Sequence, residues 1–101
     1  MARGIVWTDA ALDDIDSIAE YIQRDSPHHA RRVVDAIFAV ADAVVHQPRL
    51  GRIVPELDDP DTRERFVYSY RIIYELHGDT AYVLAVIHGR RLLEALSDRF
   101  T

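Results

Sequence analysis

The chain has 101 residues, of which 49% are hydrophobic and 29% charged, a composition that fits one folded domain and argues against disorder. It contains no cysteine, which excludes disulfides and thiolate metal sites, and no apolar run long enough to span a bilayer. The first residues lack the basic and then apolar plan of a signal peptide. We therefore expect a single domain over residues 1–101, located in the cytoplasm and not associated with a membrane.

The charge is unevenly distributed along the chain. The net charge is −5, and all twelve basic residues are arginines. Residues 1–62 carry six arginines against twelve acids, whereas residues 63–91 carry five arginines against three acids. Attraction of the whole chain to nucleic acid is therefore not expected, because it requires a broad basic surface. A local arginine cluster can still bind a carboxylate or a phosphate.

The first third of the sequence predicts a short strand and a helix. Residues 3–7 alternate weakly and lead into Thr8 and Asp9, residue types that favour the N-terminal cap of a helix. Apolar residues then recur at helical spacing, at Leu12, Ile15, Ile18 or Ala19, and Ile22. The acids between them are interpreted as solvated surface.

A second helix is predicted from Pro27, with Ser26 as its cap, to a stop at Pro48. Its broad apolar stripe includes Val33 and Ile37, and the short link between the helices favours an antiparallel helical hairpin. His28 and His29 are adjacent and point about 100° apart on a helix, which is a poor geometry for binding one metal ion. We predict neither a metal site nor a cofactor.

The remainder predicts a long loop and three strands. The loop covers Pro48–Thr62. We expect its middle part to be held against the rest of the domain by Arg52, Ile53, Val54 and Leu57. Strands are predicted over Arg63–Tyr68, Tyr70–Leu76 and Thr80–Ile87, and a short helix or tail after Gly89. The fold class is therefore α+β, in the order β-α-α-β-β-β, with the helical hairpin packed on a mainly antiparallel sheet.

The last two strands define the candidate site. A turn at Gly78-Asp79 pairs His77 with Thr80, Glu75 with Tyr82, Ile73 with Leu84 and Arg71 with Val86. That register predicts Arg71 and His88 diagonally across one face of the sheet, about 7–8 Å apart at the backbone. Arg90 and Arg91 follow directly. An alternative interpretation is a structural ion pair between Arg71 and Glu64 or Glu75.

Four motifs, in series, resemble a known family. Residues 7–22 follow W-x-x-x-A-x-x-D-x-x-x-I-x-x-Y-I, which is similar to the opening of ParE-type toxins of the RelE/ParE superfamily. Residues 48–56 resemble its P-x-x-G-R-x-V-P-E signature, residues 70–74 its Y-R-I-x-Y strand, and residues 88–91 its H-G-x-R motif. The resemblance covers residues 5–93 and implies the same RelE/ParE-like fold.

The resemblance implies the toxin of a type II toxin–antitoxin, or plasmid stabilisation, system. Such a toxin is held inactive in a hetero-oligomer with a ParD-like antitoxin, and ParE-like members inhibit DNA gyrase without being enzymes. One alternative is a RelE-like, ribosome-dependent endonuclease that cuts messenger RNA. Gyrase is favoured, because the position of the terminal tyrosine of RelE-type sites falls at about Ser97 and because an acidic chain suits a ribosome poorly. A second alternative is a non-toxic module that only binds the antitoxin.

Site residues follow from the same comparison. The expected target contacts are Arg65, Arg71, His88, Arg90 and Arg91. If the chain is a ribonuclease, the catalytic candidates are Arg71, His88 and Arg91, with His88 as acid or base. The expected antitoxin contacts are Leu12, Ile15, Ile22, Val33, Ile37 and Arg52. Substitution of Arg71 or Arg91 by alanine is predicted to weaken toxicity more than folding.

Overall fold

The computed structural model of the protein describes residues 4–90 and 99. The elements are β1 (Gly4–Trp7), α1 (Asp9–Gln23), α2 (Pro27–His46), β2 (Arg52–Ile53), β3 (Thr62–Val67), β4 (Tyr70–His77) and β5 (Thr80–His88). They form one sheet in the order β1-β5-β4-β3-β2, in which β1 is parallel to β5 and the other pairs are antiparallel. The predicted α+β order is confirmed, with β2 added inside the predicted loop. Arg91 and the expected terminal helix or tail lie outside the described residues.

Both helix starts follow the predicted capping. The Thr8 hydroxyl accepts a hydrogen bond from the Ala11 amide at 3.2 Å and donates one to the Val83 carbonyl at 2.7 Å, so it joins the start of α1 to β5. Ser26 accepts from the His29 amide at 3.1 Å, and a proline occupies the first turn of α2. Neither helix has the length and apolar character needed to cross a membrane.

The main core lies between the helical hairpin and one face of the sheet. Its buried members are Ala11, Ile15, Val33, Ile37, Val67, Ile72, Val83 and Val86. Ala11 is fully buried, whereas Leu12 is 39% exposed, so the stripe of α1 starts one residue earlier than predicted. The opposite face of the sheet carries a smaller cluster, made of Val54, Ile73, Ala85 and Ile87.

The β4–β5 hairpin contains an irregularity that the sequence did not predict. Its turn is as expected, with Gly78 at a φ of 60°, and His77 pairs with Thr80. Between Ile73 and Tyr74 the register shifts, because β5 carries one extra residue, Leu84. The predicted pairs of Ile73 with Leu84 and of Arg71 with Val86 are therefore wrong.

The shift changes which residues share a face. Arg71 pairs with Ile87, and Tyr70 pairs with His88. Because side chains alternate along a strand, Arg71 points away from the helices, whereas His88 lies on the helix side with Tyr70. The prediction that Arg71 and His88 share one face of the sheet is wrong for this reason.

The side chains of Asp14 in α1 and of Arg99 cover part of β5. Strand β1 ends at Trp7, opposite Val83, so the following residues of β5 extend beyond it. There Asp14 accepts a hydrogen bond from the Val86 amide at 3.0 Å, and Arg99 donates to both Asp14 carboxylate oxygens at 2.6 and 3.1 Å. The interpretation of Asp14 as a solvated acid is wrong, since its side chain is only 11% exposed.

Candidate functional site

The segment between α2 and β3 is packed against the sheet. Val54 is fully buried against Ile73, Ala85 and Ile87 on the face opposite the helices. Upstream, the Tyr74 hydroxyl donates a 2.6 Å hydrogen bond to the Pro48 carbonyl. The long loop is thus held in place by an apolar anchor and a tyrosine hydrogen bond.

Gly51 makes this packing geometrically feasible. A Cβ atom added at Gly51 would overlap the Tyr74 hydroxyl and would lie 2.9 Å from the Glu64 carbonyl oxygen. Only glycine lets the loop approach the strand so closely. Burial raises the pKa of Tyr74, so its hydroxyl stays protonated and remains a donor at neutral pH.

Beside this anchor lies an ionic network of two arginines and two glutamates. Arg71 donates to the two carboxylate oxygens of Glu56 at 2.8 and 2.9 Å, and its Nε donates to Glu64 at 2.7 Å. The Glu64 side chain is fully buried and also accepts from the Nε of Arg52 at 2.8 Å. The Arg52 guanidinium in turn lies 5.2 Å from the centre of the Phe66 ring.

The electrostatics of the network favour its charged state. The hydrogen bond that Arg71 donates to Glu56 raises the pKa of Arg71, against the opposing effect of burial, with a further contribution from Glu64. The same hydrogen bond from Arg71 lowers the pKa of Glu56. The Arg71 side chain is only 6% exposed, so its charge faces the two glutamates rather than solvent.

This arrangement favours the alternative interpretation of Arg71 as a structural residue. The predicted pair with Glu64 is confirmed, and the second partner is Glu56 rather than Glu75. Arg71 therefore presents little surface to a target, in contrast to its predicted role as a contact residue. Sequence reasoning missed Glu56 because it lies 15 residues away, in a loop whose path carries no periodic signal.

The other expected target residues lie at several places. Arg65 pairs with Ile72 and so faces the helices; it is half-buried, and its Nη1 atom is buried without a hydrogen-bond partner among the described residues. His88 is exposed, with its ring 5.8 Å from that of Tyr70 in an edge-on arrangement. Arg90 is also exposed, and its amide donates to the His88 Nδ1 at 3.2 Å. Only His88 and Arg90 of the described set lie together on accessible surface.

The residues expected to contact the antitoxin are likewise partly buried and partly exposed. Ile15, Val33 and Ile37 are at most 5% exposed and pack between the helices and the sheet, so they present little surface to a partner. The helical stripe to which they belong is covered by the sheet of the same chain. Leu12 is 39% exposed and Ile22 is half-buried, and the Arg52 side chain is 58% exposed although paired with Glu64.

Sequence analysis missed two exposed aromatic residues at the same end of the sheet. Phe66 is 53% exposed and Tyr68 is 58% exposed. They line an open recess together with Ser69, His88, Gly89 and Arg90. The positive φ of Tyr68, 54°, places it in the turn between β3 and β4, where strand alternation no longer predicts which way a side chain points.

The described residues limit the chemistry available. Within residues 4–90 and 99, no three histidine or acidic side chains come together as metal ligands. A phosphodiester cleavage site needs an acid or base and a cation at the same phosphate. His88 is accessible, but Arg71, the cation predicted to lie beside it, is on the other face and bound to two glutamates.

Comparisons with known proteins agree with the motifs. Residues 5–93 match the family model described as the ParE toxin of type II toxin-antitoxin system, parDE. The proposed toxin Y4kP of Sinorhizobium fredii is 44% identical over 94 residues, which is 88% of this chain and 91% of that protein. Toxin RelE2 of Caulobacter vibrioides is 30% identical over 89 residues, which is 87% of this chain and 97% of that protein.

A solved structure supports the fold. A chain from the chromosomal ParDE TA system of P. aeruginosa superposes with a TM-score of 0.70 and 19% identity. The match covers 84% of this chain and 94% of that one. The arrangement of helices and sheet described above is therefore one that a solved toxin–antitoxin structure also contains.

Proposed function

Because the chain belongs to the family of ParE toxins of type II toxin–antitoxin systems, we propose that it inhibits DNA gyrase and is neutralised by a ParD-like antitoxin. The toxin would act in the cytoplasm and would not catalyse a reaction. Its action would leave a stalled gyrase–DNA complex, and its cellular role would be plasmid stabilisation. The family match supports the assignment as a toxin, and the geometry of the site supports gyrase rather than the ribosome as its target.

The observation that carries this choice is the separation of Arg71 from His88. The extra residue in β5 places them on opposite faces, and both Glu56 and Glu64 bind the Arg71 guanidinium. A ribonuclease would need that cation free to stabilise charge on a phosphate. The described residues therefore fit a binding surface better than a catalytic site.

We place the target contact at the exposed end of the sheet. His88 and Arg90 are accessible there, and Arg91 follows in the sequence. Arginine and histidine at the rim of an interface contribute to orientation and association rate. The antitoxin would contact the accessible members of the predicted set, Leu12 and Ile22 on α1 and Arg52 on β2, through a segment that folds on binding.

The test is a supercoiling assay with purified gyrase, DNA and the toxin separated from its antitoxin. Inhibition, or accumulation of cleaved gyrase–DNA complexes, is expected. The double substitution of His88 and Arg90 by alanine should reduce inhibition. Arg24→Gln removes one exposed arginine from the end of α1, where its side chain is 71% exposed, and serves as the matched control.

The alternative of a ribosome-dependent endonuclease has one specific observation in its favour, the 30% identical relative named RelE2. Absence of any effect on gyrase at high toxin excess, combined with cleavage of translated messenger RNA, would establish that alternative. A chain that is harmless when produced without its antitoxin would instead be the non-toxic binding module.

A further inference from the structure

The recess at the end of the sheet combines aromatic and basic side chains. Among the residues that the structure describes, its lining consists of Phe66, Tyr68, Ser69, His88, Gly89 and Arg90, and none of these is acidic. This composition contrasts with the first 62 residues, where acids outnumber arginines two to one. A polyanion would therefore meet favourable charge at this end of the molecule and repulsion from much of the remaining surface.

Much of the surface of Phe66 and Tyr68 is exposed to solvent and is not used in packing the core. Both side chains are more than half exposed. The Arg52 guanidinium lies near the Phe66 ring, and the His29 ring lies edge-on to Tyr68 at 5.9 Å between centroids. These contacts hold the rings in defined positions while leaving much of their area accessible, which suits a stacking platform.

The backbone at Tyr68 gives an independent reason to suspect function. Its φ of 54° lies in the left-handed region, where glycine or asparagine is the usual residue and a bulky side chain is strained. Folding alone would favour glycine in this two-residue turn. A large, exposed aromatic at such a position is explained if its ring contacts a ligand.

We propose that this recess binds single-stranded nucleic acid. Bases would stack on Phe66 and Tyr68, and the Arg90 guanidinium would bind a phosphate beside them. Exposed aromatic rings next to a cation are the two elements that non-specific single-strand binding uses. One exposed arginine among the described lining residues gives weak electrostatic binding, so affinity depends chiefly on stacking.

This activity goes beyond the proposed inhibition of gyrase; the two share His88 and Arg90, but an oligonucleotide assay without gyrase measures this activity alone. It needs no enzyme partner, and it predicts contact with unpaired strands rather than with duplex. A protein partner anchored on the same two rings is the competing explanation, and the test distinguishes it.

The test is fluorescence anisotropy with labelled oligonucleotides of about 12 nucleotides, oligo(dT), oligo(U) and a DNA duplex, at roughly 50 mM salt. The probe is titrated with the full chain separated from its antitoxin. Binding of either single strand in preference to duplex is expected. The DNA and RNA arms show which type of strand is preferred, and binding to either one supports the proposal.

Two variants report on stacking. Phe66→Leu keeps an apolar side chain but removes the ring, and Tyr68→Gly removes the ring while relieving the positive φ. Each is expected to raise the Kd by about tenfold, the change that 1.4 kcal/mol of lost stacking produces. Because Tyr68→Gly should retain the fold, a loss of binding in this variant cannot be attributed to unfolding.

A third variant reports on charge. Arg90→Gln should reduce the slope of log K against log salt by about 0.7, the value for one phosphate contact on a single strand. Arg24→Gln and Leu50→Ala alter an exposed charge and an exposed apolar side chain outside the recess and should leave binding unchanged.

Several results would overturn the proposal. They are no binding of either single strand, equal binding of duplex, or binding that is unaffected by both ring variants. Loss of gyrase inhibition by the ring variants, without any oligonucleotide binding by the parent chain, would show a protein-contact surface instead. Oligonucleotide binding without gyrase inhibition would support this inference and refute the proposed function.

Discussion

The substitution Arg71→Met tests whether the ionic network is structural. It removes the cation that joins Glu56 to Glu64 and keeps much of the side-chain volume. Glu56 is 40% exposed and can be hydrated, whereas the fully buried Glu64 retains only Arg52 among the partners described above. Removing one partner of a buried pair leaves a buried charge incompletely compensated.

The expected loss can be estimated from that geometry. Breaking a buried ion pair costs about 3–5 kcal/mol. Because Arg52 still contacts Glu64, the lower end, about 3 kcal/mol, applies here. Folded domains of this size have a free energy of unfolding of about 5–15 kcal/mol, and each kcal/mol shifts Tm by roughly 4–8 °C. The variant should therefore unfold at a temperature about 12–24 °C lower.

Urea denaturation followed by circular dichroism and by the fluorescence of Trp7, the single tryptophan, measures the change. Two further variants serve as controls for Arg71→Met. Arg52→Met, at a side chain 58% exposed, should lose less stability than Arg71→Met, because Arg71 still contacts the buried Glu64. The double variant Arg71→Met with Glu64→Leu should recover most of the loss, since it leaves no buried charge.

One result would refute the reasoning. If Arg71→Met loses less than about 1 kcal/mol of stability and yet abolishes toxicity, the network contributes no more than a surface pair. Arg71 would then be a contact residue, as the sequence analysis expected.

Three further substitutions test other parts of the structure. Gly51→Ala should destabilise the chain by about 1–3 kcal/mol through overlap with the Tyr74 hydroxyl, and Tyr74→Phe in the same chain should recover part of this; an unchanged urea midpoint would contradict the packing. Asp14→Ala should lose about 1–3 kcal/mol because the buried Val86 amide loses its acceptor, while Asp14→Asn, which keeps an acceptor, should lose less; equal losses would argue against that hydrogen bond. The pKa of Glu56 is lowered, so its contribution to the free energy of unfolding is fully present above about pH 4.5 and is lost as the pH falls through the lowered value. Urea midpoints of the parent and of Glu56→Gln should therefore differ at neutral pH and converge in acid. A difference that does not depend on pH would contradict the ion pair.

Local signals in the sequence were sufficient for the order of elements. Thr8 and Ser26 are helix caps whose side chains satisfy amides within the first turn, so their effect is readable from neighbouring residues. Gly78 similarly supplies the positive φ of its own turn. Such features depend on a few consecutive residues, and all three positions agree with the prediction.

The candidate site depended on long-range relations that local patterns do not encode. The pairing of Arg71 with Glu56 requires the path of a loop with no periodicity, and the position of His88 requires knowledge of a bulge. Even so, the four-motif resemblance identified the family. In the central motif, Gly51, Arg52 and Glu56 turn out to hold the loop on the sheet, so the residues that identified the family include structural ones.

The extra residue Leu84 determines which face of the sheet the last residues of β5 occupy. Because faces alternate residue by residue, an odd insertion exchanges inside and outside for everything that follows it. Deleting one residue there would bring His88 to the face of Arg71 without changing either side chain. The face on which His88 lies is thus set by the number of residues in β5 rather than by residue type, whereas Arg71 stays bound to Glu56 and Glu64 in either register.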